Sequence, residues 1–338
     1  MELALYCPDC GYYEKENDRL GRRGDFYTSV SVGPLFGALL AFQFAEWLSK
    51  LSIPRPQLIE AGAHDGRLAL DILTWLQQWR PELFQDLEYV FLESSERRKQ
   101  WQRETVKAFA DKVRWRSDVH DFTGIIFANE LLDALPVHRL GWDAQRKSWF
   151  EWGVSVLGNQ FEWRRMQESD VLKPTFPLQT LTGLPQELLD ALPNDFTTEV
   201  CPAAERWWSN AATGLRRGWL MTLDYGQTSA ERLAPHRPDG TLRAYRGHKL
   251  NDHLLADPGE QDLTAHVNFD SLRAAGETAG LNTGMFTTQA NFLAEIMKRF
   301  WPEAESRGAW SHERAREFQT LVHPEHLGRA FRVLAQTR

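Results

Sequence analysis

Residues Gln57 to Leu70 read QLIEAGAHDGRLAL, and this stretch decides the fold. A short apolar run, Leu58 and Ile59, ends at Glu60. A small-residue turn with Gly62 and Gly66 follows, and a helix starts at about Arg67. A strand ending at an acid, a glycine-bearing turn and a helix form the sequence pattern with which doubly wound α/β folds hold an adenosine-containing cofactor. Glycines let backbone approach the ligand, and the helix N-terminus offers unpaired N–H groups. An acid at the strand end suits a ligand bearing an ammonium group better than a pyrophosphate. His64 stands where a third glycine is expected.

The chain has 338 residues, enough for one large or two modest domains and for a sizeable core. Hydrophobic content of 42% and charged content of 25% are those of an ordinary globular chain. A net charge of −7 argues against broad nucleic-acid binding and against an anionic membrane surface. No segment approaches the ~18 consecutive apolar residues of a membrane span. The N-terminal sequence lacks a basic n-region, a long apolar run and an Arg-rich transit composition. This predicts a cytoplasmic location, or the mitochondrial matrix should a targeting segment precede Met1. Cys7 and Cys10 form a C-x-x-C pair, with Cys201 the third cysteine. No second pair supplies a four-ligand zinc site, and the loop setting is unlike a redox helix start. The expectation is therefore two reduced thiols and no metal. Most of the fourteen tryptophans are read as packing.

Outward from the opening stretch, strands are expected at Gln57–Ala61, Leu87–Leu92, Val113–Arg116 and Gly124–Ala128. A further strand ends at Asp224, and a last one lies near Arg329–Ala335. Helices are expected over Pro34–Leu51, Arg67–Trp79, the segment after Glu93, and Pro202–Arg216, with two more near Phe269–Ala279 and Ala290–Phe300. Strands alternating with helices imply a parallel sheet covered on both faces. Residues 1–33 read as irregular. The alternation over 137–165, with turn signals at Asp143 and Gly158–Asn159, reads as an antiparallel ribbon. The Pro- and Leu-rich tract 166–198 reads as loop with one short helix.

Candidate site residues lie at the strand ends. Glu60, Gly62, His64 and Gly66 form the cofactor turn. Glu93, with Ser94 beside it, ends the second strand, where a carboxylate accepts hydrogen bonds from ribose hydroxyls. Asp118 is a weaker candidate for the adenine end. Asp25, Tyr27 and Thr28, in GDFYTS, are placed to close over the cofactor. NELLDALP closes the fourth strand and sets Asn129, Glu130 and Asp133 beside a transferable group. With Leu131–Leu135 as a helical turn, Glu130 and Asp133 share one face and grip a guanidinium bidentately. Asp224 is a candidate for the acceptor pocket, and His266 for a base.

The chain resembles the MidA-like S-adenosylmethionine-dependent methyltransferases. The matching elements are GYY (Gly11–Tyr13), GRRGDFYTS (Gly21–Ser29), PLFG (Pro34–Gly37), the Glu60 turn and FLESSERRKQWQ around Glu93. They continue with NELLDALPV (Asn129–Val137), LDYG (Leu223–Gly226), LRAYRGH (Leu242–His248) and DLTAHVNF (Asp262–Phe269). The resemblance implies a class I methyltransferase fold: a Rossmann-like, seven-stranded, mostly parallel sheet with an antiparallel β/α insertion between the fourth and fifth strands. The expected organisation is an N-terminal segment, 1–56, closing over the cofactor, a core of 57–136 and 199–338, and a substrate-side insertion, 137–198. S-adenosyl-L-methionine is the implied cofactor and a protein arginine the implied acceptor. A homodimer is open. Three departures stand out: the family's glycine is replaced by His64, its N-terminal helical segment would precede Met1, and TTQANFLAEIMKRF (Thr287–Phe300) matches only loosely. The rivals are a non-catalytic assembly protein on a methyltransferase shell and a small-molecule methyltransferase. A nicotinamide dehydrogenase is disfavoured, since the turn lacks G-x-G-x-x-G spacing.

Overall fold

Seven strands carry the fold: β1 (Gln57–Ala61), β2 (Glu88–Leu92), β3 (Val113–Arg116), β4 (Phe122–Asn129), β5 (Leu215–Gln227), β6 (Asn282–Thr288) and β7 (Phe331–Thr337). The computed structural model describes residues 1–15, 28–166, 184–247 and 249–338. The strands lie in the order β3-β2-β1-β4-β5-β7-β6. β1 pairs in parallel with β2 and β4, placing Ile59 beside Val90 and Ile126. β2 continues in parallel to β3, and β4 to β5. Only β7 runs against its neighbours, β5 and β6. Strand order therefore reverses between β1 and β4, which opens a crevice at their carboxyl ends. β4 and β5 meet so closely at Gly124 and Gly218 that a Cβ on Gly218 would lie 1.8 Å from the Gly124 carbonyl oxygen.

The chain forms two units, one of Asp18–Leu132, Trp207–Gly226 and Leu272–Arg338, the other of Met1–Asn17, Asp133–Arg206 and Gln227–Ser271. The first holds the sheet. Its helix Leu35–Leu51 is apolar on nearly every side and buries Phe36, Leu39, Leu40 and Phe44, as a helix enclosed by other elements must. Helix Arg67–Trp79 buries the stripe Leu68, Ile72, Leu73, Trp75 and Leu76. At about 1.5–3 kcal/mol for each large apolar side chain removed from water, these two faces supply much of the core that Leu58 of β1 joins. Trp47 stacks on Trp219, their ring centroids 5.2 Å apart and 8° from parallel.

The second unit contains the expected ribbon. Strands His138–Asp143, Ser148–Leu157 and Gln160–Arg165 pair antiparallel, and the first also pairs with Thr197–Val200. The Asp143 turn signal acts as expected: its carboxylate accepts from the Gln145 and Arg146 N–H groups. Three further strands, Arg243–Arg246, Lys249–Asn251 and Asp262–Thr264, make a small antiparallel sheet.

Two expectations are corrected, and one expected segment falls within a wider unit. Residues Glu2–Tyr6 form a helix rather than irregular chain, because burying Leu5 against Tyr12, Ala244 and Leu263 orders them. Strand Thr197–Val200 falls across the tract read as loop and short helix, and its four residues are all buried. The insertion 137–198 is part of a larger unit that also takes in 1–17 and 227–271.

Candidate active site

Glu60, the last residue but one of β1, has its side chain inside the protein, at 3% exposure. Tyr89, one strand over on β2, donates a 2.6 Å hydrogen bond to Glu60 Oε2. Burial pushes the Glu60 carboxyl up to about 8, against the opposing pull of the Tyr89 bond. The turn that follows is left-handed at Gly62 (φ +75°), His64 (φ +45°) and Gly66 (φ +84°). This explains why glycine is the expected residue at all three. His64 accepts the strained conformation with its side chain beside Trp101, ring centroids 5.7 Å apart, and its Nδ1 is 3.9 Å from Asp65 Oδ1. Asp65 Oδ1 in turn accepts from the Arg67 N–H, securing the start of the following helix. A Cβ on Gly62 would come within 3.0 Å of Leu131, so the turn packs directly against the segment after β4.

Glu93 lies just beyond β2, with its carboxylate buried. Oε1 accepts from the Ser94 and Ser95 N–H groups at 2.9 and 2.8 Å, while Oε2 takes the Arg98 guanidinium at 3.0 Å. Gln102, fully buried, ties the neighbourhood together. Its amide donates to the His64 carbonyl at 3.0 Å and approaches Glu93 Oε2 at 3.5 Å, while its oxygen accepts from Trp115 Nε1 at 2.8 Å. The turn, the end of β2 and β3 are thus locked by one side chain. Sequence inspection overlooked Gln102, Arg98 and Trp115. A fully buried glutamine on a helix of otherwise hydrophilic composition leaves no pattern to find.

The carboxyl ends of β4 and β5 meet in the same way. Asp224, wholly buried, accepts from the Leu131 and Leu132 N–H groups through Oδ2 and from the Tyr225 N–H through Oδ1. Its role is to hold the NELL segment in place. Glu130 adopts φ +53°, a conformation costly for a non-glycine residue and found where surrounding structure over-determines it. Its Oε1 accepts from the Ser29 N–H at 3.1 Å and from Asn129 Nδ2 at 3.0 Å. Asn129 Oδ1 is buried and has no hydrogen-bond partner among the described residues, so an acceptor stands ready for a donor from a ligand.

The remaining candidates have settings of their own. Thr28 caps helix Ser29–Val32, its hydroxyl accepting from the Ser31 N–H. Asp118 is largely exposed and pairs with His120 at 3.2 Å. Asp25 and Tyr27 lie outside the described residues. The helical turn expected at Leu131–Leu135 is a single 3-10 turn, Leu132–Ala134, because the Asp224 carboxylate gathers the preceding N–H groups. Asp133 belongs to the second unit, whereas Glu130 belongs to the first. In that second unit Tyr13 donates a 2.7 Å hydrogen bond to Asp262, and Asp133 is buried. His266 is pushed down to about 4 by burial and by Arg232, Arg243 and Arg237. At neutral pH it is uncharged and too weak a base to hold a proton.

A buried carboxyl after an apolar strand, a left-handed glycine turn, a second acid one strand over and an orphaned acceptor at β4 suit a nucleoside cofactor carrying a positive charge. Fold and site together define the S-adenosyl-L-methionine-dependent methyltransferase class. A family model described as "Putative S-adenosyl-L-methionine-dependent methyltransferase" matches residues 39–287, and the chain belongs to that family. Its cofactor is accordingly S-adenosyl-L-methionine. The protein arginine methyltransferase NDUFAF7 of Xenopus tropicalis, named as mitochondrial, is 30% identical, the match covering 100% of this chain and 82% of the relative. The Drosophila melanogaster homologue, also named as mitochondrial, is 27% identical over 99% of this chain and 79% of its own length. A superfamily member from Burkholderia thailandensis, bound to S-adenosyl-homocysteine, superposes with a TM-score of 0.82 at 29% identity, covering 100% of this chain and 86% of that one. No helix among the described residues is long and apolar enough to cross a membrane.

Proposed function

We propose that the chain transfers a methyl group from S-adenosyl-L-methionine to a guanidinium nitrogen of an arginine in a protein substrate. The observation that carries this is the fixed carboxylate of Glu130 at the carboxyl end of β4, held by Ser29 and Asn129. The relatives named as protein arginine methyltransferases, similar over nearly the whole chain, support the same acceptor.

Glu60, Gly62, His64, Gly66, Glu93 and Ser94 are the proposed cofactor residues, with Asn129 reaching the same ligand. Glu60 faces the ammonium group of the amino-acid end, and Glu93 takes the ribose hydroxyls once Arg98 yields its place on Oε2. The left-handed backbone at His64, with its side chain beside Trp101, supports a turn that accommodates the imidazole while keeping its glycine-like course. When bound, the cofactor supplies an electrophilic methyl group on a sulfonium. Glu130 orients the guanidinium by charge-assisted hydrogen bonds and receives the proton that the attacking nitrogen sheds. Alignment and charge placement carry the catalysis. The 137–198 insertion is the part proposed to select the protein substrate.

The test is incubation with isotopically labelled cofactor and a cell lysate, followed by amino-acid analysis of labelled protein. Methylarginine is expected, and Glu130→Gln should cut turnover about 100-fold while cofactor affinity stays within a few-fold. Cofactor binding without labelled protein would favour the non-catalytic assembly role. Label confined to small molecules would favour the small-molecule acceptor.

A further inference from the structure

The sequence pattern Cys7-Pro-Asp-Cys10 lies outside the cofactor-binding elements, and the structure gives it a defined geometry. Cys7 ends helix Glu2–Tyr6, and a tight turn returns the chain so that the Cys10 and Gly11 N–H groups donate to the Cys7 carbonyl at 3.3 and 2.7 Å. A turn closed in this way keeps its end Cα atoms within about 7 Å, close to the span of about 4.4–6.8 Å that a disulfide bridges. The thiols have already met: Cys10 Sγ donates to Cys7 Sγ at 3.2 Å. The Cys10 side chain is exposed and Cys7 half-buried, so an oxidant in solution reaches the pair.

We propose that Cys7 and Cys10 form a reversible dithiol–disulfide site, oxidised by a low-molecular-weight disulfide of the glutathione type. Cys7 thiolate attacks one sulfur of the oxidant, forming a mixed disulfide and releasing one small thiolate. Cys10, as thiolate, then attacks the Cys7 sulfur and expels the second. Two protons and two electrons leave the protein, and the oxidant becomes two thiols. The order of attack follows from the surroundings. Donation from the Cys10 thiol and from the Asp9 and Cys10 N–H groups holds Cys7 below the usual thiol value, whereas Cys10 is raised by the same contact.

A metal site is the natural rival for a C-x-x-C pair. Among the described residues no group of three or more His, Cys, Asp or Glu is placed to hold an ion, and structural zinc takes four ligands. Cys201 provides an internal control, because burial pushes its thiol up to about 11 and it contacts the Leu135 and Pro136 carbonyls. The consequence extends within the second unit, to which both cysteines belong. Three residues beyond Cys10, Tyr13 holds Asp262, so closing the disulfide fixes the turn that precedes this contact.

The test uses the full chain in oxidised glutathione, quenched with acid, alkylated under denaturing conditions and weighed intact. Alkylatable thiols should fall from three to one, the survivor being Cys201, and a dithiol reductant should restore all three. Cys201→Ser should lose every alkylatable thiol on oxidation. Cys7→Ser should form no internal disulfide and accumulate glutathione on Cys10 instead. In the reduced protein Cys7 should alkylate about tenfold faster than Cys10. Three thiols persisting in saturating oxidised glutathione would overturn the proposal. So would wild-type protein carrying glutathione on both Cys7 and Cys10.

Discussion

Replacing Glu60 by glutamine should remove most of the alkaline destabilisation that this one residue imposes. Its carboxyl is raised from 4.5 to about 8, chiefly by burial. The folded state therefore prefers the protonated form, while the unfolded chain ionises freely at an ordinary value. Below about pH 4.5 both states are protonated and the residue costs nothing. Between about pH 4.5 and 8 the unfolded state releases a proton that the folded state keeps, so stability falls as pH rises. Above about pH 8 the folded protein carries the buried charge at full cost, about 5 kcal/mol from 1.36 kcal/mol per pH unit. Glutamine keeps an acceptor for the Tyr89 hydroxyl and fits the same space, but does not titrate. Urea unfolding of the two proteins across this range is the assay. The curves should run together near pH 4 and diverge to a few kcal/mol at about pH 8.5, with Glu60→Gln the more stable. Parallel curves across the window would refute the reasoning and mean that Glu60 is hydrated in the folded state.

The same carboxyl predicts that cofactor binding near pH 7 releases a proton, because an ammonium group beside Glu60 favours its ionised form; calorimetry in buffers of different ionisation enthalpy measures this, and Glu60→Gln should abolish it. His64→Gly should change stability by less than about 0.5 kcal/mol, since relief of the left-handed strain offsets glycine's entropy, whereas His64→Val should lose about 1–2 kcal/mol in thermal unfolding. Asp224→Ala removes the acceptor of three backbone N–H groups, one buried and two partly buried, and should cost about 2–4 kcal/mol, with Asp224→Asn recovering part of it. Glu93→Ala should weaken cofactor binding about 100-fold by calorimetry, and Arg98→Leu, which removes the competing ion pair, should tighten it by up to about tenfold.

The central architecture was legible because its signals are local. β1, β3 and helix Arg67–Trp79 have the bounds that apolar runs and turn residues indicate. β6 escaped notice because NTGMFTT is only partly buried at the sheet edge, so neither face demands a hydrophobic pattern. Thr197–Val200 escaped for the opposite reason: four buried residues, three of them polar, are ordered by pairing with a strand distant in sequence. The acids at the strand ends could be located from sequence, but their duties could not. Asp224 and Glu60 both follow apolar runs, yet one is saturated by backbone N–H groups and the other is left with a raised carboxyl. That difference depends on which chain segment arrives opposite each acid. His64 marks the limit clearly: the sequence shows a missing glycine, and only the backbone shows where the added side chain goes.

The reversed strand β7 has a consequence for how the chain is made. It sits between β5 and β6 yet follows both in chain order. Until Phe331–Thr337 emerges, β5 has an open edge and β6 has no place in the sheet. Nascent chains must therefore carry the exposed edge of β5 through synthesis of more than a hundred residues, an opening that invites mispairing with neighbouring chains. Final closure of the sheet thus waits for the arrival of β7, well after the early βα units that hold the cofactor turn.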